Sequence, residues 1–353
     1  MSQVIAVDIN PATREVVTGT ERYTRELCSR LPGAAPDLAF RFFASQPKSD
    51  LGVDVTVLPF RRLWSQVRLP IALAGIRPDL LFVPGHSIPF AWTGRALAVV
   101  HDLAFERHPE AYSAAQRIHL QLTTRWAVSR CRVLIAVSES TRKDLASLYG
   151  ANPSRIRVIP HGGGEAPRVR PSSASKLGAL GLTGDFLLQV GRVEARKNQL
   201  ATLAAVERVP GLTLAVAGPE VDSALAVKLR ASKACRVLGR VDDPTLELLY
   251  KRAKAVVVPS LYEGFGLPVL EAMARGQVVV AARTSSLPEV GGDAVLYVDD
   301  PGDAEAFASV LQRATADGEA RASFARRAVK RAREFTWERC AQETADVIRE
   351  ALS

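Results

Sequence analysis

Two glutamates flank a glycine-rich turn near the middle of the second half of the chain: Glu263 precedes the turn and Glu271 follows it. Carboxylates accept hydrogen bonds and suit the paired hydroxyls of a sugar ring. A turn that opens a helix presents unpaired N–H groups and partial positive charge, which favour a phosphate. The combination indicates a nucleotide sugar, with ribose, diphosphate and hexose. The predicted anion contacts are Gly264, Phe265, Gly266 and Leu267.

The neighbouring residues predict the elements that position this turn. The β-branched run Val256–Val258 is typical of a buried strand, and Pro268 suits the first turn of a helix. Apolar spacing predicts a helix over 269–275 that ends at Gly276. The alternative interpretation is that Glu263 caps this helix and Glu271 is a solvated residue of its first turns.

Two cations follow another predicted strand, Phe186–Val190. Arg192 and Lys197 lie five residues apart beyond its carboxyl end, where a diphosphate would meet a planar guanidinium and a point charge. Together they could neutralise the charge that grows on a leaving diphosphate. Arg196 is an alternative ligand, and a basic solvated loop is the alternative interpretation.

A histidine and an aspartate, His101 and Asp102, end the apolar run at residues 97–100. Open α/β sheets bind their ligands at the carboxyl ends of strands, which favours a functional role for His101. The alternative is a histidine that only makes structural hydrogen bonds.

The segment Glu-Gly-Phe-Gly-Leu-Pro-Val-Leu-Glu-Ala-Met-Ala, at 263–274, resembles the signature of the retaining family-four glycosyltransferases (glycosyl transferases group 1) of the GT-B fold. The resemblance extends over nearly the whole chain. It implies an α/β protein with two Rossmann-like parallel-sheet domains that face a cleft, and a C-terminal helix that crosses back to the first domain. The implied acceptor-side domain is 1–165 with the returning tail 336–353, and the donor-binding domain is 166–335.

The resemblance also implies roles in the donor domain. Glu263 would orient the hexose hydroxyls, Glu271 would bind the ribose, and backbone near Val241 would contact the base. Arg192 and Lys197 would neutralise the leaving diphosphate.

In the first domain the resemblance places His101 against the transferred sugar, where it would help to stabilise positive charge on the ring. The loop 18–23 resembles the glycine loop of the family, but Glu21 occupies the place of a second glycine. Gly19 therefore remains as the expected phosphate contact, and Glu21 has the acceptor as an alternative partner.

The expected reaction is transfer of a mannose-, rhamnose- or glucose-type hexose to an acceptor hydroxyl with retention of configuration, in surface polysaccharide or glycolipid assembly. No cofactor or metal is expected, because charge stabilisation and positioning carry the catalysis. A GT-B epimerase or phosphorylase, or a non-catalytic binder of sugar nucleotides, remains an alternative. A dinucleotide dehydrogenase is disfavoured because no Gly-x-Gly-x-x-Gly follows the first strand.

Composition agrees with a two-domain globular protein, since the chain has 353 residues and 47% hydrophobic content without a membrane-length apolar run. The N-terminus shows no signal-peptide pattern, so a cytoplasmic location is expected. The four cysteines lack metal-ligand spacing, and no metal site is predicted.

Positive charge is concentrated in the first half: residues 1–162 carry 20 Lys and Arg against 13 Asp and Glu, or +7 of the net +9. Arg61, Arg62 and Arg68 surround Trp64 and precede Leu69, a cluster that would suit anionic lipid at the inner face of a membrane. Alternatively, Trp64 and Leu69 are core residues. A nucleic-acid partner is disfavoured, because there is no aromatic-rich binding stripe. The expected partners are the donor, a glycan or lipid-linked acceptor, and an anionic membrane surface.

Overall fold

Two parallel sheets organise the chain, which divides into two units: Met1–Gly162 with Phe335–Ser353, and Gly163–Glu334. The computed structural model describes residues 2–14, 19–60, 63–85, 87–316 and 318–353. No helix within these ranges is long and apolar enough to cross a membrane.

The first unit contains a seven-stranded parallel sheet with the order β3-β2-β1-β4-β5-β6-β7. Its central strands are buried on both faces, which explains why they appear in the sequence as continuous apolar runs. The strands are β1 Val4–Asp8, β2 Ala39–Ala44, β3 Val55–Val57, β4 Leu80–Val83, β5 Ala96–Val100, β6 Leu134–Ala136 and β7 Ile156–Val158. The helices before the second unit are α1 Gly19–Ala34, α2 Leu69–Ile76, α3 Ala104–Arg107, α4 Ala114–Arg130 and α5 Glu139–Tyr149.

The second unit contains a six-stranded parallel sheet with the order β10-β9-β8-β11-β12-β13. Its strands are β8 Asp185–Val190, β9 Leu212–Ala217, β10 Cys235–Gly239, β11 Ala255–Val258, β12 Val279–Ala282 and β13 Leu296–Val298. Its helices are α6 Ser175–Ala179, α7 Gln199–Val206, α8 Ser223–Ala231, α9 Asp243–Arg252, α10 Leu267–Ala274, α11 Leu287–Gly291, α12 Ala304–Thr315 and α13 Glu319–Ala332.

The last helix, α14 (Trp337–Leu352), belongs to the first unit and packs on α1. The Thr336 hydroxyl caps it by accepting a hydrogen bond from the Arg339 N–H at 3.1 Å. Trp337 is buried against Gly162, where an added Cβ would lie 2.4 Å from the Trp337 backbone nitrogen. The predicted return of the C-terminal helix to the first sheet is thereby confirmed.

The basic, apolar segment after β3 contributes to the core of the first unit. Trp64 is 5% exposed and donates its indole N–H to the Leu58 carbonyl at 2.8 Å, and Leu69 is fully buried. The interpretation of these two residues as core is confirmed, so they do not provide a lipid contact. Arg61 and Arg62 lie outside the described residues.

Candidate active site

The candidate site lies at the carboxyl edge of the second sheet, where β8 and β11 are neighbours. The strand order reverses at this pair, because successive strands β9 and β10 extend to one side of β8 and β12 and β13 to the other side of β11. Open α/β sheets bind ligands at such a switch point, since the loops on either side diverge and leave a crevice.

Two predicted residues meet directly at this edge, although they are 66 positions apart in the chain. Lys197 donates from Nζ to Glu263 Oε1 at 2.5 Å, and the Ser260 hydroxyl donates to the same oxygen at 2.7 Å. The Lys197 and Glu263 side chains are only 13% and 10% exposed. The pair is therefore largely shielded from water.

The pKa of Glu263 is lowered from its ordinary value. Burial alone would raise it, but the charges of Lys197 and Arg196, with hydrogen bonds from Lys197 and Ser260, outweigh burial. Glu263 is therefore an ionised carboxylate at neutral pH and accepts hydrogen bonds without donating any.

Arg196 holds the two loops of the site together. Its guanidinium donates to the Tyr262 carbonyl at 2.6 Å and to Glu194 Oε1 at 2.7 Å, and lies 3.4 Å from Glu263 Oε2. The Arg196 carbonyl also accepts from the Leu261 N–H at 2.9 Å. These contacts favour a structural clamp over the alternative of a phosphate ligand.

Three hydroxyls of the loop after β12 fix the other side of this segment. Thr284 Oγ1 donates to the Ser260 carbonyl at 2.7 Å, and Ser286 Oγ donates to the Glu263 carbonyl at 2.9 Å. The Glu263 N–H donates to Ser285 Oγ at 2.8 Å. Ser285 has a φ of 45°, a left-handed conformation that is uncommon for serine and is maintained by its surroundings.

The turn and helix predicted to bind the diphosphate and ribose follow directly. Gly266 has a φ of 103° and is the N-cap of α10. Phe265 is buried, and Gly264 is buried beside it. Glu271 lies on α10, half-buried, and its Oε2 accepts from the Tyr250 hydroxyl at 3.2 Å. Leu267 is the first residue of the helix.

Two further predicted contacts lie at the same carboxyl edge of the second sheet. Arg192 directly follows the turn after β8, and its side chain is exposed while its carbonyl accepts from Gln199 Nε2 at 2.7 Å. Val241 follows β10 and is half-buried next to Asp242, the N-cap of α9. The second sheet thus carries Arg192, Val241, Lys197 and Glu263 on the loops of one edge.

His101 and Gly19 belong to the first unit. His101 follows β5, and its Nε2 lies 2.7 Å from the Pro84 carbonyl, which can only accept, so Nε2 carries the proton. Burial lowers the pKa of His101, although the Pro84 carbonyl opposes this, so the ring is neutral with a lone pair on Nδ1. Its ring lies 4.8 Å from Tyr23 and 5.3 Å from His161. Gly19 begins α1.

Glu21, predicted to take the place of a glycine, is 5% exposed in the first turn of α1. Its Oε1 accepts from Arg14 NH1 at 3.0 Å. Asp102 Oδ1 accepts from the Ala104 N–H at 3.0 Å and thus holds the loop after β5. The first unit therefore has a partly acidic edge.

Sequence reasoning missed a buried carboxyl group at this same edge. Asp8 ends β1, is 7% exposed, and accepts from the Asn10 N–H at 3.0 Å. Burial raises the pKa of Asp8 to about 7, against the lowering effects of the Asn10 N–H and the Arg14 charge. The only sequence signal was an aspartate within the apolar run Val4–Ile9.

We expect Asp8→Asn to stabilise the protein more at pH 8 than at pH 5, because above pH 3.8 the unfolded wild type ionises this carboxyl while the folded wild type keeps it protonated up to about pH 7. The pKa of this carboxyl is higher in the folded state than in the unfolded state. Its contribution to stability is therefore fully present below the unfolded-state pKa and is lost as pH rises towards 7. The gain at pH 8 should be about 2–4 kcal/mol, measured by urea unfolding at both pH values. An equal effect at pH 5 and 8 would contradict the assignment, and Asp54→Asn, at an exposed position, serves as the control.

Models of glycosyltransferase families match both halves of the chain. Residues 17–162 match the model "Glycosyltransferase Family 4", and residues 178–331 match "Glycosyl transferases group 1". The O-antigen chain mannosyltransferase B of Escherichia coli is 30% identical over 263 residues, which cover 71% of this chain and 69% of that protein. The chain belongs to the family 4, group 1 glycosyltransferases.

Solved structures show that this glycosyltransferase has the GT-B fold. Sucrose-phosphate synthase of Thermosynechococcus elongatus superposes with a TM-score of 0.77 at 22% identity, over 99% of this chain and 98% of that one. The Anabaena protein HepE, solved with UDP and glucose, also gives a TM-score of 0.77, at 18% identity over 99% and 100% of the two chains. The predicted family and fold class are confirmed.

Proposed function

We propose that this glycosyltransferase moves a hexose from a nucleoside-diphosphate sugar to an acceptor hydroxyl and retains the anomeric configuration. The observation that carries the proposal is the shielded Lys197–Glu263 pair at the switch point of the second sheet. One member suits a phosphate and the other suits sugar hydroxyls, so the pair suits a ligand that contains both.

The second unit would bind the donor. The diphosphate would be held by the side chains of Arg192 and Lys197 and by the backbone of the Gly264–Leu267 turn. This turn suits a phosphate because α10 begins there and presents unpaired N–H groups. Glu263 would accept hydrogen bonds from the hexose, Glu271 would do so from the ribose, and the backbone at Val241 would contact the base. HepE, a protein of the same fold, was solved with UDP and glucose, which supports this class of donor.

In the proposed reaction the bond between the anomeric carbon and the phosphate oxygen breaks as the acceptor oxygen bonds to the same face of that carbon. The acceptor proton passes to the departing phosphate oxygen, so configuration is retained without a protein nucleophile. Arg192 and Lys197 offset the charge that develops on the phosphate, and His101 is proposed to stabilise positive charge on the sugar ring. These groups supply the electrostatic stabilisation, so the proposal includes no metal.

The donor sugar and acceptor are inferred from relatives. A mannose-type hexose is favoured because the Escherichia coli relative is described as an O-antigen chain mannosyltransferase. The acceptor would be a glycan or a lipid-linked glycan in surface polysaccharide assembly, and the protein would work at the cytoplasmic face of the membrane. Nucleic acid is not part of this proposal.

Thermal unfolding with UDP-, GDP-, ADP- and dTDP-sugars tests the donor site, because a ligand that binds only the native state raises its stability. One nucleotide series should raise the melting temperature by a few degrees, in EDTA as well as in magnesium. Lys197→Ala should lose this rise, whereas Lys254→Ala, whose amine pairs with Asp185 at 3.4 Å, should keep it. The absence of any rise in the wild type would overturn the proposed donor, and a rise only with magnesium would overturn metal independence.

A further inference from the structure

Two buried glutamines lie on either side of the loop that carries Arg192 and Lys197. This loop, residues 191–198, joins β8 to α7. Gln189 is the penultimate residue of β8 and is 3% exposed, and Gln199 is the first residue of α7 and is 1% exposed. Buried parallel strands are ordinarily apolar, so an amide at the end of β8 needs a physical reason.

Each glutamine bonds to the far end of the loop. Gln189 precedes the loop and donates from Nε2 to the Lys197 carbonyl at 2.7 Å. Gln199 follows the loop and donates from Nε2 to the Arg192 carbonyl at 2.7 Å. The two bonds therefore cross, because one ties the end of the loop to the strand and the other ties its start to the helix.

The donor side of each amide makes this contact. A carbonyl can only accept, so the orientation of both amides follows from their partners. Gln189 Oε1 and Gln199 Oε1 are buried, and neither has a hydrogen-bond partner among the described residues. Burial of an acceptor in this way costs stability. Such a cost is typical of residues that serve a functional site, where local rules are broken for another gain.

The crossed bonds act on the two residues that the proposed function assigns to the donor diphosphate. The loop begins at Gly191 with a φ of 145° and ends at Asn198 with a φ of 54°, so no regular element continues through it. Lys197 Nζ lies 2.5 Å from Glu263 Oε1. A shift of the Lys197 backbone would therefore move its ammonium away from the place where a phosphate and a sugar hydroxyl would meet.

We propose that Gln189 and Gln199 are positioning residues for the transfer reaction, which fix the backbone of Lys197 and Arg192 so that both cations meet the donor diphosphate. The inference rests on the proposed function, because it concerns the same donor site. Cations stabilise the charge on a leaving phosphate only if they are already in place, and a misplacement of about 1 Å can cost about 100-fold in rate. The two glutamines act through Lys197 and Arg192 and need no contact with the donor.

The test uses Gln189→Met and Gln199→Met, which keep the approximate size of the side chain and remove the amide. Release of nucleoside diphosphate is measured with whichever of the UDP-, GDP-, ADP- and dTDP-sugars raises the melting temperature of the wild type. Each variant should lower kcat/KM by about 10–100-fold. Affinity for the free nucleoside, which has no phosphate, should be unchanged.

Gln277→Met is the matched control. Gln277 Oε1 is also buried and has no partner among the described residues, but Gln277 precedes β12 and so lies at the opposite edge of the same sheet. This variant should keep the kcat/KM of the wild type. It thereby separates the position of an amide from the general effect of losing one.

Pairs of substitutions distinguish positioning from a general loss of stability. In Lys197→Ala, Gln189→Met should have little further effect because it acts through Lys197, whereas Gln199→Met should keep its full effect. In Arg192→Ala the order should reverse. Equal further losses in both backgrounds would overturn the proposal.

Gln189→Asn and Gln199→Asn replace a methionine variant that fails to fold, since they keep an amide and shorten its reach, and they should also lower kcat/KM. An equal fall in nucleoside affinity, or an equal loss in Gln277→Met, would overturn the proposal. If the wild type is stabilised by a nucleotide sugar and both methionine variants match its kcat/KM, this inference alone fails. If no nucleotide sugar stabilises the wild type, the proposed function fails and this inference falls with it.

Discussion

Glu263→Gln is expected to reduce sugar transfer by about 10²–10³-fold, the usual effect of removing one preorganised electrostatic group from a reacting centre. Glutamine has the size of glutamate and can accept from Ser260, whose hydroxyl lies 2.7 Å from Glu263 Oε1. Glutamine cannot neutralise the charge of Lys197, whose Nζ lies 2.5 Å from Glu263 Oε1. Its amide nitrogen is a donor, and it would face either that ammonium or a sugar hydroxyl.

The measurement is release of nucleoside diphosphate from the donor identified by thermal shift, with and without a glycan acceptor. Glu305→Gln, an exposed glutamate in the first turn of α12, is the matched control and should retain wild-type rates. The melting temperature must be compared, because the substitution removes the carboxylate that pairs with Lys197, while Arg196 keeps its ion pair with Glu194. A folded Glu263→Gln enzyme with rates within twofold of the wild type would remove Glu263 from the chemistry.

Gly218→Ala is expected to destabilise the protein by more than about 4 kcal/mol, or to prevent its folding. Gly218 has a φ of 155°, and a Cβ there would lie 2.0 Å from the Gly191 carbonyl oxygen. The atoms that this Cβ would meet belong to the backbone of Gly191 and Arg192. That backbone cannot shift easily, because the Gly191 N–H is bonded to the Ala217 carbonyl at 2.9 Å and the Gly218 N–H to the Gly239 carbonyl at 2.8 Å. The ends of β8, β9 and β10 would have to separate.

Thermal and urea unfolding measure this effect, and the melting temperature should fall by about 10 °C or more. The control is Gly178→Ala in α6, where nothing lies within 4 Å of the added Cβ and alanine should stabilise by up to about 1 kcal/mol. Because Arg192 follows Gly191, any Gly218→Ala protein that folds should also lose donor binding. A melting temperature unchanged by Gly218→Ala would contradict the close approach of these backbones.

Sequence patterns predicted strands ahead of both Lys197 and Glu263, and parallel strands bring their carboxyl ends to one edge. The direct bond between the two side chains was not predicted. Helix starts were predictable for a similar local reason. Ser138 is a residue type that favours N-caps and follows the apolar run 133–137, and its hydroxyl accepts from the Thr141 N–H at 3.0 Å at the start of α5. Thr336 is also a favoured N-cap type, and it accepts from the Arg339 N–H at the start of α14.

Partner choice within the edge was not predictable. Arg196 and Lys197 are adjacent in sequence and both contact Glu263, yet Arg196 also bonds to Glu194 and to the Tyr262 carbonyl. The chain turns directly after Lys197, at Asn198 with a φ of 54°, and no periodicity in the sequence encodes these contacts. The burial of Trp64 was not predictable either. The sequence shows that the segment has an apolar and a polar face, but it does not show whether the apolar residues pack in the core or against another surface.

The placement of α14 has a consequence for biosynthesis. The second unit is inserted into the first, so a ribosome must complete residues 163–334 before it makes the helix that covers α1. Until then Tyr23 and Leu27, fully buried in the finished protein, lack part of their cover in the nascent chain. The first unit therefore completes its packing only after the insert has been made. A premature stop codon within α14 would therefore destabilise the first unit, although the stop lies far from residues 1–162 in the sequence. We expect chaperones to act mainly on the first unit.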